Sequence, residues 1–210
     1  MQISAEMRWF WSRQVPKRVW SWFHAGQYPP GGGLSRTDTY LLDSSQREFS
    51  MKKRGDMPWI EIKGLIDEHP QSVRNRLFLG SVQLWAKWST KALKLDNLPS
   101  VAIHKTRLIR RFSFDTSAIR EIALDKEELP INPDEKFSEP CCNVELTKIR
   151  LESDRTRWWT FGCEARGGIE SVERCLYRTL AHLSASGAPE LKADFELSYP
   201  AWINRLKPEM

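Results

Sequence analysis

The sequence predicts one α+β domain built on about eight antiparallel β-strands, arranged as a large barrel or a strongly curved sheet with few helices. Short segments in which apolar and charged residues alternate recur through most of the chain. Helical periodicity, in contrast, is clear only near the C-terminus. A length of 210 residues without an internal repeat or linker suits a single domain, which we expect over residues 2–203.

Alternation of apolar and polar residues locates the strands. They are expected at QISAEMRWFW (2–11), RTDTYLL (36–42), EFSMKKR (48–54), WIEIKGL (59–65), SVQLWAKWS (81–89), VAIHKTRLIRRF (101–112), CNVELTKIRL (142–151) and RWWTFGCEARG (157–167).

The first strand places Ser4, Glu6 and Arg8 on one face and apolar side chains on the other. Pro16 then opens a short helix that ends near Gly26, because proline is tolerated in a first turn and glycine suits a helix end. The segment YPPGGG that follows predicts a loop.

Turns separate the middle strands. A turn at 44–46 leads into the third strand, and a turn at 55–58 makes WIEIKGL its hairpin partner. The acidic, proline-rich stretch at 125–140 predicts a loop, and residues 152–156 predict the turn of the last hairpin.

One clear helix follows the strands, at 169–183. Its apolar stripe has a spacing of three to four residues and consists of Ile169, Val172, Leu176, Leu180 and Leu183. The tail DFELSYPAWINRL is expected to dock through its aromatic side chains.

Composition narrows the classes of function. The net charge of +5 favours anionic partners, which include nucleic acid, phosphorylated small molecules and acidic surfaces. No apolar run approaches the ~18 residues of a membrane span, and the N-terminus lacks the pattern of a secretory signal. We therefore expect a cytoplasmic protein without a membrane partner; the sequence does not indicate an oligomeric state.

The four cysteines predict no metal site. Cys141 and Cys142 are adjacent, Cys163 and Cys175 stand alone, and no CxxC spacing is present. We expect all four to be reduced packing residues, as is usual in the cytoplasm.

The direction of the charged faces is the central question. For any single strand, a solvated face is the simpler interpretation. Many strands share the pattern, however, and their apolar faces need a cover that the helices and tryptophans can provide from outside. A wide barrel can enclose a polar cavity, so the combination favours charged faces that point inward. The residues concerned are Ser4, Glu6, Arg8, Lys52, Arg54, Glu61, Lys63, Lys87, Lys105, Arg107, Glu145, Glu164 and Arg166.

The order of these segments resembles the CYTH superfamily of triphosphate tunnel enzymes, whose eight-stranded antiparallel tunnel is lined by Glu, Lys and Arg. SAEMR is similar to the family hallmark ExExK, with Ser4 in place of the first glutamate and Arg8 in place of the lysine. RTDTY, MKKR and EIK follow in the family's order, and KTR, VELT and FGCEA resemble its later strands. The late ExE pair of the family is reduced here to Gly162 and Glu164.

The resemblance implies roles for individual residues. It implies hydrolysis of a triphosphate or another phosphoanhydride, with Glu164 and Lys63 as catalytic residues. Mg²⁺ or Mn²⁺ would be bound by Glu6, Glu145 and Glu164. The phosphate chain would be bound by Arg8, Lys52, Arg54, Lys63, Lys87, Lys105 and Arg107.

Two other interpretations stay open. Ser4 and Gly162, where the family pattern has carboxylates, are also compatible with a degenerate tunnel that binds polyphosphate or a phosphorylated ligand without turnover. The third interpretation is nucleic-acid binding through exposed tryptophans. The sequence shows no nucleic-acid-binding signature, and we expect the indoles to pack helices against strands. We therefore predict no nucleic-acid partner. Asp38 is expected to pair with Arg36 or to order the tunnel entrance rather than to act as a general base.

Overall fold

The computed structural model describes residues 1–42, 47–70, 77–114, 118–135, 140–152 and 156–205. The turn expected at 44–46, and most of the turn expected at 152–156, lie outside these ranges. The described helices are α1 (Lys17–His24), α2 (Ile169–Ala185) and α3 (Tyr199–Arg205). The described strands are β1 (Gln2–Ser12), β2 (Gly31–Leu41), β3 (Phe49–Arg54), β4 (Ile60–Pro70), β5 (Ser81–Thr90), β6 (Ser100–Phe114), β7 (Ile119–Ile122), β8 (Cys141–Leu151), β9 (Arg157–Gly167) and β10 (Phe195–Glu196).

Eight of these strands close into an antiparallel barrel. The neighbours run in the order β1, β5, β4, β3, β2, β6, β8 and β9, and β9 pairs again with β1. The two short strands lie outside this ring: β7 pairs with β6, and β10 pairs with the end of β1. The structure therefore confirms the predicted antiparallel barrel, and it selects the barrel over an open curved sheet.

Alternation along the strands separates a polar interior from an apolar exterior. On β1, Ala5 and Met7 face outward into the main core, whereas Glu6 and Arg8 face the barrel interior. The main core covers the outer faces of β1, β8 and β9 with side chains from α1 and α2. The charged faces thus point inward, as the combined pattern predicted.

The apolar stripe of α2 packs against the outer face of the barrel. Val172, Leu176, Leu180 and Leu183 are fully buried there. Ile169 was expected in the same stripe, but it is 58% exposed. It is the first residue of the helix, where the chain has only just left β9 after a pair of glycines.

A second, smaller core closes one end of the barrel. Trp202 of α3 stacks on Phe10 with ring centroids 5.0 Å apart, and both side chains are fully buried. Ile103 of β6 and Ile149 of β8 complete this cluster from the barrel wall. The expected docking of the aromatic tail is confirmed.

The segment YPPGGG was expected to be a loop, but its glycines open β2. Gly32 and Gly33 have φ values of +90° and +94°, a region that L side chains rarely adopt. The pairing of β2 with β6 shifts register between Gly32 and Ser35, which marks a β-bulge. The glycines therefore allow the strand to bend where the sequence alone indicated a break.

Two further observations bear on the sequence predictions. Cys141, Cys142, Cys163 and Cys175 are all buried and form no disulfide among the described residues, as expected for packing residues. None of the described helices is long and apolar enough to cross a membrane.

Candidate functional site

The inward faces of the strands enclose a polar cavity with about 80 Å³ of free space. Among the described residues, four glutamates line it: Glu6, Glu61, Glu145 and Glu164. Eight cationic side chains line it as well: Arg8, Arg36, Lys52, Arg54, Lys63, Lys87, Lys105 and Arg107. All ten side chains that the sequence analysis selected as site residues are therefore placed in this cavity; their roles stay predictions.

The cavity has a basic wall and an acidic one. The lining cations come from β1, β5, β4, β3, β2 and β6, six strands that are consecutive around the barrel. The two remaining strands, β8 and β9, contribute Glu145 and Glu164 to the lining. The charges of each strand point into the cavity together, because they lie on alternate residues and therefore on one face.

Asp38 forms ion pairs with three cations of the basic wall: Arg36, Lys52 and Lys105. Its carboxylate is fully buried, accepts a hydrogen bond from Arg36 Nε at 3.0 Å and lies 3.1 Å from Lys105 Nζ. Burial opposes its ionisation, but Lys105, Lys52 and Arg36 outweigh burial and hold the pKa of this carboxyl well below its usual range. The hydrogen bond from Arg36 confirms the predicted pairing of Asp38 with Arg36.

Lys105 is buried in the cavity wall between the rings of Tyr40 and Tyr199. Its ammonium group donates a hydrogen bond to the hydroxyl of Tyr40 and lies 4.1 Å from the ring centroid of Tyr199. Burial lowers the pKa of Lys105 well below its ordinary value, even though Asp38 favours the charged form.

Glu61 holds a cluster of three cations on the basic wall. Lys52 Nζ lies 3.1 Å from its carboxylate, Arg54 Nε lies at 3.1 Å and Lys87 Nζ lies at 3.5 Å. Burial opposes ionisation of Glu61, yet the cations lower the pKa of Glu61 to about 2. Burial also lowers the pKa of Lys52 to about 8, since the favourable charge of Glu61 only partly offsets it.

Two arginines hold Glu145 on the acidic wall. Arg8 Nη2 donates to one carboxylate oxygen at 3.0 Å, and Arg107 Nη1 donates to the other at 2.9 Å. Burial opposes ionisation of Glu145, but Arg107 and Arg8 lower the pKa of this carboxyl to about 2. Arg107 also forms a two-point pair with Glu128.

Glu6 and Glu164 are cross-strand neighbours on β1 and β9. Glu6 accepts hydrogen bonds from Ser4 Oγ at 2.7 Å and Lys63 Nζ at 2.5 Å. Glu164 pairs with Arg166 at 3.2 Å. Burial opposes ionisation of Glu164, but Arg166, Lys87 and Lys63 keep the pKa of Glu164 well below its ordinary value.

The three carboxylates predicted as metal ligands do not form a ready ligand set for Mg²⁺ or Mn²⁺. Such ions require several carboxylate or carbonyl oxygens that are free to replace water. Here Glu6, Glu145 and Glu164 are each paired with a cation, and both oxygens of Glu145 are engaged by arginines. In the described part of the chain, no group of three or more His, Cys, Asp or Glu residues could hold a metal ion.

Several lining residues were not selected from the sequence. Arg36 and Tyr40 lie two residues before and after Asp38, on the same face of β2. The alternation that selected Lys52 and Arg54 could therefore have identified them. Thr147 on β8 follows Glu145 by two residues, and its buried hydroxyl has no hydrogen-bond partner among the described residues. Tyr199 carried no such signal, since it reaches the cavity from the tail only through the docking of α3.

Comparisons with known proteins assign no family or activity. No family model matches the chain, and no curated protein does. Among solved structures, a conserved hypothetical protein from Pyrococcus furiosus is similar at 11% identity and a TM-score of 0.41. That alignment covers 86% of this chain and 90% of the other.

Proposed function

We propose that the barrel cavity binds a condensed phosphate chain, either a triphosphate-containing small molecule or polyphosphate. The observation that carries this proposal is the lining itself, in which eight lysines and arginines outnumber four glutamates among the described residues. The resemblance of the strand motifs to the CYTH superfamily supports the same ligand class.

The chemistry of the basic wall suits phosphate oxygens. Guanidinium groups match the geometry of phosphate oxygens, and ammonium groups neutralise them as point charges. A surplus of like charge is costly in a poorly solvated interior, so an anion that enters relieves mutual repulsion of the cations. Because the cations are spread over six neighbouring strands, they suit a chain of phosphoryl groups better than one phosphate.

Ligand entry requires the cations to change partners. The free space of about 80 Å³ holds only a few water molecules. The side chains of Arg54 and Lys63 are 29% and 24% exposed, whereas those of Arg8 and Lys105 are 8% and 5% exposed. We infer that phosphate first meets the more exposed cations and displaces them from Glu61 and Glu6.

A matched pair of lysines on β3 tests the proposal. Lys52 faces the cavity, and Lys53, its neighbour in sequence, is exposed on the other face of the strand. Isothermal titration calorimetry with tripolyphosphate is expected to show affinity reduced by at least about tenfold in Lys52→Gln, the value of one charge-assisted hydrogen bond, and little change in Lys53→Gln. Equal effects in both variants, or no binding to the wild type, would contradict binding inside the cavity.

Metal-dependent hydrolysis, which the CYTH resemblance implies, is the second candidate function. The observation that favours it is the cross-strand pairing of Glu6 with Glu164, which brings two carboxylates together where β1 of the basic wall meets β9 of the acidic wall. The assay is phosphate release from tripolyphosphate and ATP with Mg²⁺, Mn²⁺ or EDTA. Metal-dependent release that is lost in Glu164→Gln and in Lys63→Ala would establish hydrolysis; binding without release would leave the site a receptor.

Three further expectations belong to this proposal. We expect no nucleic-acid partner, because the lining cations lie inside the barrel, where the backbone of a duplex does not reach. We also retain a single domain over 2–203 and a cytoplasmic location as predictions.

A further inference from the structure

Three neighbouring strands present Arg8, Gly162 and Glu145 in one row across the barrel interior. Arg8 on β1 is the cross-strand partner of Gly162 on β9, and Gly162 is in turn the partner of Glu145 on β8. The Arg8 side chain passes over β9 and reaches the carboxylate of Glu145 at 3.0 Å. The guanidinium group therefore lies against the acidic wall, although its backbone belongs to a strand two positions away.

Gly162 is the residue that makes this crossing possible. A Cβ at position 162 would meet Cζ of Arg8 at 2.6 Å and its two terminal nitrogens at 2.7 and 2.8 Å. Any side chain there would compete with the guanidinium for the same space. A carboxylate side chain at position 162 and the Arg8 guanidinium could thus not both occupy this space.

The crossing guanidinium has a fixed charge and spare hydrogen-bonding capacity. Burial disfavours the charged form of Arg8, but Glu145 and Tyr199 outweigh it, and the pKa of Arg8 lies above its already high ordinary value. Nη2 donates to Glu145, whereas the hydrogen bond recorded for Nη1 among the described residues is a long one of 3.4 Å to Thr160 Oγ1. The group lines the cavity, so this second nitrogen is available to an anion.

The same guanidinium occupies the space beside Glu145 that a divalent cation would need in order to bind this carboxylate. Glu145 has both oxygens engaged, one by Arg8 and one by Arg107. A divalent ion that used Glu145 would have to displace an arginine from it and then remain beside two guanidinium charges, which repel it.

We propose that the Arg8 guanidinium supplies the fixed positive charge that a divalent cation would otherwise supply at this wall, so that the cavity binds condensed phosphate without a metal ion. This inference rests on the proposed binding function and adds to it that binding is independent of metal. Arg8 acts directly on the ligand, with Glu145 and Gly162 as the residues that position it.

The first test is calorimetric binding of tripolyphosphate to the wild type in EDTA and in Mn²⁺. We expect binding in EDTA, and weaker apparent binding as Mn²⁺ rises, because the ion sequesters free tripolyphosphate. Binding that requires Mn²⁺ would overturn this inference alone. Absence of binding in both conditions would overturn the proposed function, and this inference with it.

The second test assigns the charge to Arg8. In EDTA, Arg8→Gln is expected to weaken tripolyphosphate binding at least about tenfold. Gly162→Ala, which keeps the charge but takes the space of the guanidinium, is expected to weaken binding in the same direction, with the melting temperature of each variant as the check of folding. Unchanged affinity in a folded Arg8→Gln, or in Gly162→Ala should Arg8→Gln fail to fold, would overturn the assignment.

Discussion

Lys52 and Glu61 show how single residues in this cavity depend on one another. They are cross-strand partners on β3 and β4, and the carboxylate of Glu61 is also shared with Arg54 and Lys87. One buried carboxylate thus offsets the mutual repulsion of three cations that lie around it. Removal of such a partner typically costs about 3–5 kcal/mol, because it leaves buried charge uncompensated.

The lowered pKa of Lys52 predicts how ligand binding depends on pH. Burial brings the pKa of this lysine to about 8, so the free protein loses its charge as the pH rises through that value. Tripolyphosphate affinity is therefore expected to fall above pH 8, because binding must then recover a proton. Calorimetry from pH 7 to pH 9.5 checks the decline.

Lys52→Arg is the matched control for this profile. Arginine keeps its charge over the whole range, so the decline above pH 8 should become shallower in this variant. The protonation of the ligand affects both proteins equally. Superimposable profiles for the wild type and Lys52→Arg would show that another group controls the pH dependence.

Among the elements, α3 has a role out of proportion to its length. It has seven residues, yet its Trp202 fills the end of the barrel and packs edge-on against Trp158 as well as on Phe10. The same helix brings the ring of Tyr199 to 4.7 Å from the guanidinium carbon of Arg8. Docking of α3 therefore both closes the barrel and positions part of the site.

Replacement of Trp202 by alanine is expected to destabilise the fold by about 3–5 kcal/mol, the usual cost of emptying a large aromatic site. Urea denaturation measures the loss. Trp20→Ala is the control, because Trp20 is 38% exposed on α1 and its loss leaves no enclosed void. Comparable losses in both variants would mean that α3 does not seal the barrel end.

The bulge at the start of β2 predicts a contrast between two glycines. A Cβ on Gly32 would meet the backbone oxygen of Arg107 at 2.6 Å, and the φ of Gly32 is +90°. Gly32→Ala is therefore expected to lower the free energy of unfolding by more than about 1 kcal/mol, since the backbone at Gly32 or at Arg107 would have to move.

Gly64 on β4 is the matched control for Gly32. No atom of the residues that the structure describes lies within 4 Å of a Cβ added there, and its φ lies outside the left-handed region. Gly64→Ala should be neutral or stabilising by a few tenths of a kcal/mol, because alanine restricts the unfolded chain. Thermal denaturation compares the two, and equal melting temperatures would argue against the bulge.

For the whole molecule, the acidic groups inside the barrel set the response to low pH. Four carboxyl groups have a pKa below its ordinary value: Asp38, Glu61, Glu145 and Glu164. The lowered pKa is about 2 for Glu61 and for Glu145. A group whose pKa is lower in the folded chain stabilises it above the unfolded pKa and loses that contribution as the pH falls. The free energy of unfolding is therefore expected to fall from about pH 4.5 toward pH 2.

Urea denaturation at a series of pH values measures this decline. Glu61→Gln should show a shallower decline, because one of the linked groups is gone, whereas Glu127→Gln, an exposed change outside the cavity, should retain the slope of the wild type. A wild-type stability that does not change between pH 4.5 and pH 2 would contradict the ion-paired interior.

Much of the fold was predictable because it depends on short-range alternation. The eight barrel strands, the helix at 169–183 and the docking of the tail all follow from residues close together in the chain. The strand at Gly31–Gly33 was not, because those glycines belong to a bulge whose partners, β6 and Asp125, lie more than seventy residues later. The short strands β7 and β10 were missed since each is stabilised by a distant partner rather than by its own pattern.

The sequence by itself determined which side chains share a face, because side chains on a strand alternate with a period of two. That rule grouped Glu6 with Arg8 and Lys52 with Arg54 without reference to any other strand. The combined strand pattern favoured an inward direction for these faces, but only the tertiary structure decided it, and only the tertiary structure shows that Arg8 crosses Gly162 to Glu145. Both depend on the closure of β1 against β9, and a contact between strands so far apart in the chain has no signature in the local pattern of either.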